Sequence, residues 1–294
     1  MSTAAAMTPD AGLDALWAAD TVYRPDLFRG RTALVSGGGS GIGRATALLL
    51  ARLGARVVIA GRSQDKLDRV VAYARSRGAE MVGVAANIRE HEQVLALFEQ
   101  AEAAFGMPDL LVNSAGGQFP QAAIDYAPKG WSAVVNNNLN GTWFMMQRAA
   151  QRWRELGRGG AIVNVVVVTE RGMPGVAHTV AARAGVIGAS RTVAVEWAPL
   201  GIRVNCVAPG LTATEGLAVY PPEAVREFPR ANVMRRPGTA MEMAEACVYL
   251  GAPSGSFITG EVLTVDGGGK LWGELWTAGR PDYYEMPGAT PAGD

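Results

Sequence analysis

Residues 32–46 read TALVSGGGSGIGRAT: a short apolar run, then a glycine-rich turn, then the start of a helical pattern. The apolar run before the turn suits a buried strand, and the segment after it suits a helix. The glycines that space this motif, Gly37, Gly41 and Gly43, follow the pattern G-x-x-x-G-x-G. Glycine permits positive φ, and its missing side chain lets another group approach the backbone. A helix that begins just beyond such a turn favours a bound anion.

This order of strand, turn and helix predicts a site for the pyrophosphate of a dinucleotide. The residues expected to contact that group are Gly37, Gly39, Ser40, Gly41, Ile42 and Gly43.

The residue at the end of the second predicted strand decides whether the cofactor's ribose carries a free 2′-hydroxyl or a 2′-phosphate. An acid there would bond a free 2′-hydroxyl, whereas a cation would pair with a 2′-phosphate. The sequence has Arg62 and Ser63 at this point, with no acid before Asp65. A planar guanidinium beside a hydroxyl suits a phosphate. The sequence therefore predicts NADP(H) rather than NAD.

Six further apolar runs follow the first along the chain. With the first run, the predicted strands are 33–35, 57–60, 81–84, 110–112, 162–168, 204–207 and 262–265. Most are apolar throughout, as expected for parallel strands buried on both faces, and helix-length segments separate them. This alternation predicts a single-domain α/β Rossmann fold, a doubly wound parallel sheet of about seven strands with helices on both faces.

The predicted division of the chain has three parts. Residues 1–27 form an N-terminal extension, 28–270 the Rossmann domain and 271–294 a C-terminal arm. The arm carries aromatic side chains that favour packing on the domain or on a neighbouring subunit. They are Trp272, Trp276, Tyr283 and Tyr284.

Composition argues against several classes of function. Lys+Arg and Asp+Glu balance at 27 each, and no basic block suggests a nucleic-acid partner. No apolar run approaches the ~20 residues that span a bilayer, and the first 30 residues lack the features of a secretory signal. Cys206 and Cys247 have neither metal-ligand nor disulfide-scaffold spacing. We expect a cytoplasmic protein without a metal, a membrane or a nucleic-acid partner.

Several further motifs accompany the glycine turn. They are Asn113-Ser114-Ala115-Gly116 after the fourth run, Asn138 seven residues past Trp131, Pro209-Gly210 after the sixth run, and Ile258-Thr259-Gly260 leading to Asp266-Gly267-Gly268. Together with the turn they make residues 28–268 resemble the short-chain dehydrogenase/reductase family. The resemblance implies a homotetramer. It also implies cofactor contacts from Asn87 and Ile88 near the adenine, Asn113, Ala115 and Gly116 along the adenosine, and Pro209, Gly210, Thr212 and Thr214 around the nicotinamide, where a substrate lid begins.

The sequence departs from that family at the residues for chemistry. Members that reduce carbonyls use Tyr-x-x-x-Lys, with a serine thirteen residues before the tyrosine. A tyrosine beside a lysine can donate a proton to a developing alkoxide at neutral pH. Here Arg183 stands at the lysine position, Thr179 at the tyrosine position and Val166 at the serine position, while Asn138 is unchanged. An alkyl hydroxyl is too weak an acid for that step, so simple ketone reduction is disfavoured.

Reduction of an α,β-unsaturated thioester makes a milder demand. Hydride goes to Cβ, and hydrogen-bond donors stabilise the enolate that forms on the thioester oxygen. Thr179, Thr169 and His178 are the polar groups expected around that oxygen. Arg183 would hold the nicotinamide ribose and supply positive charge. Asn138 completes the expected catalytic set.

Five segments resemble the peroxisomal trans-2-enoyl-CoA reductases and their bacterial relatives: residues 116–119, 129–131, 141–144, 178–186 and 202–210. That subgroup also departs from the usual Tyr and Lys pair. The 2,4-dienoyl-CoA reductases are related but keep Lys, so the sequence fits them less well. The resemblance implies an NADPH-dependent reductase of a 2-enoyl-CoA or a related enoyl thioester. Lys129, Arg171, Arg235 and Arg236 either hold the phosphates of CoA or are solvated charges.

Two other functions remain open. One is an atypical reductase of specialised metabolism, acting on another activated alkene, imine or carbonyl, or without net redox. The other is a non-catalytic NADP-binding protein. The site residues also have purely structural interpretations: Thr179 as a helix N-cap, Arg183 in a surface salt bridge, His178 as a packed ring and Thr169 as the end of a strand.

Overall fold

Strands and helices alternate along residues 12–271, the part of the chain that the computed structural model describes. The strands are β1 (Thr32–Ser36), β2 (Arg56–Gly61), β3 (Met81–Ala85), β4 (Leu110–Asn113), β5 (Gly160–Val165), β6 (Ile202–Pro209), β7 (Thr212–Ala213), β8 (Gly238–Thr239) and β9 (Val262–Val265). The α-helices are α1 (Leu13–Ala18), α2 (Gly41–Arg52), α3 (Gln64–Ser76), α4 (His91–Phe105), α5 (Pro128–Val135), α6 (Gly141–Glu155), α7 (Ala177–Glu196), α8 (Pro222–Glu227) and α9 (Ala240–Gly251). A π-helical turn, Asn136–Asn140, joins α5 to α6.

The main sheet has seven strands in the order β3-β2-β1-β4-β5-β6-β9, and every neighbouring pair is parallel. The predicted fold class is therefore confirmed. The fifth strand is shorter than predicted, because it ends at Val165. Val166 and Val168 beyond it remain buried, packed with Val186 and Cys206 in a small apolar cluster. Their apolar character reflects this packing rather than sheet pairing.

The sheet buries both faces, which explains its continuous apolar strands. Successive side chains of β1 point to opposite faces. Val35 packs in the cluster under α2 and α9, whereas Leu34 packs in the cluster on the other side with Phe98 and Trp153. Trp153 is fully buried, and its indole nitrogen donates to the carbonyl of Pro108 at 2.7 Å. Two helical layers thus enclose one parallel sheet.

Part of the predicted N-terminal extension lies on the domain. Leu16 of α1 is 2% exposed in the cluster that includes α2. Asp14 accepts a hydrogen bond from Tyr73 Oη at 2.8 Å and lies 2.6 Å from an Arg77 nitrogen. Trp17 packs edge-on against the Tyr73 ring. The boundary at residue 28 stays a prediction, and the aromatic residues of the predicted arm, Trp272, Trp276, Tyr283 and Tyr284, lie outside the described residues.

The strand order places a cleft at one edge of the sheet. β1 lies between β2 and β4, so the chain moves outward in opposite directions on its two sides. In open parallel sheets such a switch point, at the carboxyl ends of the strands, is where ligands bind. Within residues 12–271 no helix has the length and apolar character to cross a membrane, and no three His, Cys, Asp or Glu side chains form a metal site.

Candidate cofactor cleft and active site

A cleft of about 540 Å³ opens at the switch point between β1 and β4. Its walls come from the glycine turn, the end of β2, the residues after β3, the residues after β4, and the segment after β7. The predicted turn contacts Gly37, Gly39, Ser40, Gly41 and Ile42 all line it, and so do Arg62, Ser63, Asn87 and Ile88. These predicted contact residues therefore lie around one cleft.

The glycine turn is tightly folded. Gly37 has φ +73° and Gly41 φ +51°, the left-handed region that favours glycine. A Cβ on Gly37 would stand 2.8 Å from the backbone nitrogen of Ala115. Gly43 does not line the cleft, but a Cβ on it would overlap the carbonyl oxygen of Gly37. The turn thus brings bare backbone to the cleft in a shape that larger residues would disrupt.

Helix α2 begins at this turn and receives a carboxylate from a distant segment. Ser40 occupies the N-cap position, but its side chain makes no capping bond. Instead the Gly41 N–H donates to Glu215 Oε2 at 3.0 Å. The other carboxylate oxygen lies 3.0 Å from a guanidinium nitrogen of Arg44. The N-terminus of α2 therefore already binds an anion, which supports the prediction that it is an anion site.

The far end of the cleft carries two cations. Arg62 and Ser63 lie exposed at the end of β2, as predicted, and Lys66 on the first turn of α3 lines the same wall. Lys66 was missed by the sequence analysis; its place four residues after Arg62, at the start of a helix, was the available signal. On the opposite wall, Asn87 Oδ1 accepts from the Arg89 guanidinium at 3.0 Å. The residues present therefore fit a ribose with a 2′-phosphate.

Asn113 lies behind the cleft rather than on its wall. It is buried at the end of β4, and its amide donates to Asn164 Oδ1 at 2.9 Å. The Asn164 amide in turn donates to Ser190 Oγ at 2.9 Å. Ala115 and Gly116 do line the cleft, as predicted. Asn113 thus joins β4 to β5 and holds the backbone that leads into the wall.

The segment after β6 begins the lid, which comprises residues 211–239. Thr214 lines the cleft and caps the 3-10 turn Glu215–Val219 through its hydroxyl. Pro209, Gly210 and Thr212 lie further back. A Cβ on Gly210 would stand 2.6 Å from Asp266 Cα, and Thr212 Oγ1 donates to the Gly210 carbonyl at 3.1 Å. Of the four residues predicted around the nicotinamide, only Thr214 reaches the cleft in this structure.

Asn138 and Arg183 are brought together behind the cleft wall. Asn138 sits in the π-helical turn, where its side chain donates to the Gly117 carbonyl at 2.9 Å and accepts the Gly117 N–H at 3.0 Å. The Arg183 guanidinium donates to the carbonyls of Ala115 at 3.1 Å and Asn138 at 3.3 Å. A Cβ on Gly116 would overlap this guanidinium, so a larger residue there would displace the end of the Arg183 side chain.

Arg183 is a buried cation, not part of a surface salt bridge. It is 6% exposed, and no described carboxylate pairs with it. Burial lowers the pKa of its guanidinium to about 10. That value still leaves it charged at neutral pH. A charge in this position has little solvent to screen it, so it can act strongly on a ligand in the cleft.

Thr179 and His178 form a second pair on α7. Helix α7 starts at Ala177, so Thr179 lies inside its first turn and is not the N-cap. His178 Nδ1 accepts the Thr179 N–H at 2.7 Å and lies 3.4 Å from Thr179 Oγ1. This bond assigns the neutral ring's proton to Nε2, which has no hydrogen-bond partner among the described residues. The ring stacks on Tyr126 and meets Phe119 edge-on, with centroids 4.6 Å apart in both cases.

The remaining predicted residues are not gathered in one place. Thr169 follows β5, half-buried, and no described hydrogen bond links it to Thr179 or His178. Val166 is 4% exposed at the serine position, so nothing polar replaces that hydroxyl. Within residues 12–271, Arg171 donates to the Gly269 carbonyl and Arg236 forms a two-bond ion pair with Glu242. At least two of the four basic residues expected to bind CoA, Arg171 and Arg236, therefore make contacts within the protein.

The sequence analysis missed two tyrosines, Tyr126 beside His178 and Tyr220 on the lid. Tyr126 stacks on the His178 ring and donates its hydroxyl to the Gly175 carbonyl at 2.8 Å. Tyr220 comes from the lid, and its oxygen accepts from Gln118 Nε2 at 2.5 Å. Burial, with a smaller effect of Tyr126, raises the pKa of Tyr220. The prolines after Tyr220 mark the start of α8, but no sequence signal brings this lid residue to Gln118.

Comparison with known proteins agrees with this geometry. Residues 37–270 match the family described as enoyl-(acyl carrier protein) reductase. The chain is 34% identical over 265 residues to the peroxisomal 2,4-dienoyl-CoA reductase of Arabidopsis thaliana, covering 86% of this chain and 88% of that protein. It is 35% identical to the 3-oxoacyl-[acyl-carrier-protein] reductase FabG of Thermotoga maritima, covering 82% and 98%. Among solved structures, the citronellol catabolism dehydrogenase AtuB of Pseudomonas aeruginosa PAO1 aligns with a TM-score of 0.76 at 38% identity, covering 86% of this chain and all of that one.

Proposed function

The chain belongs to the short-chain dehydrogenase/reductase family, and from that membership we propose that it is an NADPH-dependent reductase of an enoyl thioester. The observation that carries this proposal is the pair of residues at the family's Tyr and Lys positions, Thr179 and Arg183. They provide a buried positive charge and a weakly acidic hydroxyl, in place of a phenol beside an amine. That combination suits stabilisation of an enolate better than protonation of an alkoxide.

The cofactor preference follows from the far end of the cleft. Arg62, Ser63 and Lys66 offer two cations and a hydroxyl to a 2′-phosphate, and no acid lines that end to bond a free 2′-hydroxyl. The compact glycine backbone and the N-terminus of α2 offer N–H groups to the pyrophosphate. NADPH, when bound, would supply the hydride.

Arg183 contributes electrostatically from behind the wall. Ala115 and Asn138 carbonyls fix its guanidinium, and Gly116 leaves only backbone between that charge and the cleft. Negative charge that develops on the thioester oxygen is stabilised by such a preorganised cation in a region with little water. Asn138 holds the Gly117 backbone by two hydrogen bonds and so keeps the wall in place.

Thr179 and His178 supply hydrogen-bonding capacity rather than an acid. The Thr179 hydroxyl can donate to a substrate oxygen, since His178 Nδ1 already accepts the Thr179 N–H. Burial lowers the pKa of His178, which keeps its ring neutral at pH 7. The proton that completes the reduction at Cα then comes from a water in the site.

Two observations bear on the identity of the thioester, and they favour different substrates. The named relatives act on a 2,4-dienoyl-CoA and a 3-oxoacyl-[acyl-carrier-protein], which supports the acyl-thioester class. Arg183 at the lysine position favours a simple 2-enoyl substrate, because the dienoyl reductases keep lysine there. A 2,4-dienoyl-CoA is therefore the second candidate.

A homotetramer in the cytoplasm remains part of the proposal, to be tested by light scattering and fractionation.

The decisive assay follows NADPH oxidation with crotonyl-CoA, longer 2-enoyl-CoAs, a 2,4-dienoyl-CoA and simple ketones. We expect turnover of the enoyl thioesters and no turnover of ketones. We also expect faster turnover with NADPH than with NADH. Turnover of ketones alone would contradict the proposal. NADPH binding without turnover of any substrate would favour the non-catalytic alternative.

A variant of Arg183 tests its part in the chemistry. We expect Arg183→Met to lower kcat/KM by on the order of 100-fold, as for loss of one preorganised group that stabilises the transition state. The unfolding free energy should change little, because the buried charge is removed together with its cost. Arg191→Met, on the exposed face of the same helix, is the matched control and should keep wild-type activity.

A further inference from the structure

Helix α2 depends on the lid for its N-terminal cap. Its first turn contains no acidic residue, and the Ser40 side chain makes no capping bond. The carboxylate that caps it belongs to Glu215, which is 174 residues away from Gly41 in sequence. Local sequence usually supplies a helix cap. Here the cap comes from the segment that would cover the substrate.

Both oxygens of this carboxylate are used. Oε2 accepts the Gly41 N–H at 3.0 Å, and Oε1 lies 3.0 Å from the Arg44 guanidinium. The Arg44 side chain is 11% exposed and that of Glu215 38%. Charge-assisted contacts of this kind are roughly twice as strong as neutral ones, and partial burial reduces screening by salt. Glu215 therefore holds the lid to the glycine turn with appreciable strength.

The same carboxylate lines the cofactor cleft. Glu215 stands on its wall with Gly41 and Thr214, and a Cβ on Gly41 would lie 3.5 Å from Thr214 Cβ. The pyrophosphate of a dinucleotide binds at the N-terminus of the first helix in this type of fold. The carboxylate and a pyrophosphate cannot both accept the Gly41 N–H, and their negative charges would repel each other at this helix end.

We propose that Glu215 is an internal competitor for the pyrophosphate: it occupies the anion site of the empty protein and is displaced when NADPH binds. This inference rests on the proposed NADPH binding and goes beyond it. Displacement frees the 3-10 turn Glu215–Val219 from α2, so that cofactor binding releases the lid for the substrate. Arg44 exchanges one anion for the other and keeps a partner in both states.

Competition predicts that removing the Glu215 charge increases, rather than decreases, the affinity for NADPH. Glu215→Gln keeps the shape of the side chain but removes its charge, which weakens the contact in the empty protein and removes repulsion in the complex. A contact that stabilises only the empty state reduces ligand affinity. We therefore expect the variant to bind NADPH more tightly, on the order of tenfold, the size of one charge-assisted contact. The empty variant should also unfold at a lower temperature than the wild type.

Calorimetric titration with NADPH and thermal unfolding with and without it measure both effects without reference to turnover. Glu223→Gln is the matched control, since Glu223 is an exposed carboxylate on α8 of the same lid. It should leave the affinity and the unfolding temperature unchanged. Arg44→Gln should weaken NADPH binding, because the cation serves the cofactor after the exchange. Glu215→Asp provides a second variant if the glutamine form is unstable; its shorter reach should also tighten binding.

The outcomes separate the two proposals. Tighter binding by Glu215→Gln with no change in Glu223→Gln supports the competition. Unchanged or weaker NADPH binding by both Glu215 variants overturns it and leaves the proposed reductase intact. Failure of the wild type and every variant to bind NADPH overturns the cofactor assignment itself, and this inference with it.

Discussion

Arg62, Ser63 and Lys66 form an exposed group at the end of β2, where the cleft meets solvent. In the described part of the chain no carboxylate forms an ion pair with Arg62. A guanidinium presented to a phosphate gains two parallel hydrogen bonds, whereas a carboxylate in its place would repel that phosphate and bond a free ribose hydroxyl. Under the proposed function, we therefore expect the side chain at position 62 to control the choice between NADP and NAD.

We expect Arg62→Asp to reverse the cofactor preference. Loss of a charge-assisted pair of about 1.5–3 kcal/mol corresponds to a roughly 10- to 100-fold weaker affinity for NADPH. Affinity for NADH should be equal or better. Fluorescence titration of both cofactors measures the ratio, and Arg69→Asp on the outer part of α3 is the control. An unchanged ratio in Arg62→Asp would contradict the assignment.

His178 makes stability sensitive to acid. Its ring is fully buried between Tyr126 and Phe119, and this burial lowers its pKa below the ordinary 6.5. The unfolded chain therefore binds a proton below pH 6.5 that the folded protein refuses. Its contribution to stability is complete above pH 6.5 and is lost as the pH falls from 6.5 toward the folded-state pKa.

We expect the unfolding temperature to fall between pH 7 and 5 and His178→Phe to reduce that fall. The phenyl ring keeps the aromatic stack without a titratable nitrogen. Differential scanning fluorimetry across this pH range measures the slope. His91→Gln, on the exposed start of α4, serves as the comparison and should retain the wild-type slope. Equal slopes in wild type and His178→Phe would show that other groups cause the acid sensitivity.

At the scale of the element, the strand-turn-helix unit of β1 and α2 has a shape that depends on missing side chains. A Cβ on Gly43 would overlap the Gly37 carbonyl, so the first turn of α2 would have to move away from the turn. That movement would displace the Gly41 N–H, which binds the anion. We therefore expect the proposed cofactor binding to depend on the position of α2 at this point.

Gly43→Ala is expected to weaken NADPH binding by at least tenfold and to lower stability, since its overlap involves backbone rather than a flexible side chain. Gly188→Ala is the control, because no atom lies within 4 Å of a Cβ built at that helical glycine. It should leave NADPH affinity unchanged. Equilibrium binding and chemical denaturation of both variants provide the measurements. An alanine at 43 that binds NADPH normally would show that the turn has room to adjust.

At the scale of the whole molecule, the segment before the first strand contributes to the core. Leu16 on α1 is 2% exposed, whereas Val22 nearby is 90% exposed. Truncation of a buried leucine to alanine loses the transfer free energy of the removed atoms and leaves a cavity, and both lower stability. The N-terminal segment therefore stabilises the domain that carries the cleft.

Leu16→Ala should lower the unfolding free energy by about 2–5 kcal/mol. Val22→Ala, a truncation of similar chemistry on the surface, should change it by less than about 0.5 kcal/mol. Urea denaturation followed by circular dichroism distinguishes them. Equal stabilities of the two variants would show that α1 is only loosely attached to the domain.

The sequence was sufficient for features that local residues specify. The apolar run and glycines of 32–46 determine a strand, a turn and a helix within fifteen residues, and the doubly wound parallel sheet follows from the alternation of elements. Arg62 and Ser63 could be placed at the cleft for the same reason, since they directly follow a strand next to the turn. Arg183 was placed by its motif, and the structure adds that it is buried without a carboxylate partner among the described residues.

Contacts made by the lid could not be predicted. Glu215 reaches α2, and Tyr220 reaches Gln118, only after the lid has folded back over the sheet edge. No periodicity or spacing encodes such a pairing. His178 shows a related limit: a histidine in a catalytic segment suggested a polar group facing substrate, but its aromatic neighbours, Phe119 and Tyr126, come from a loop far away in sequence.

The packing of α2 against α9 has a consequence for how the protein is made. These helices lie about two hundred residues apart, yet α9 covers the apolar side of α2 that includes Leu48 and Leu49. A chain emerging from the ribosome has synthesised β1 and the whole cleft floor long before it reaches α9. Until then α2 lacks the cover that α9 provides, and the uncovered part is a surface on which premature association or a chaperone would act. The protein thus first becomes able to cover this side of its core once α9 has been synthesised.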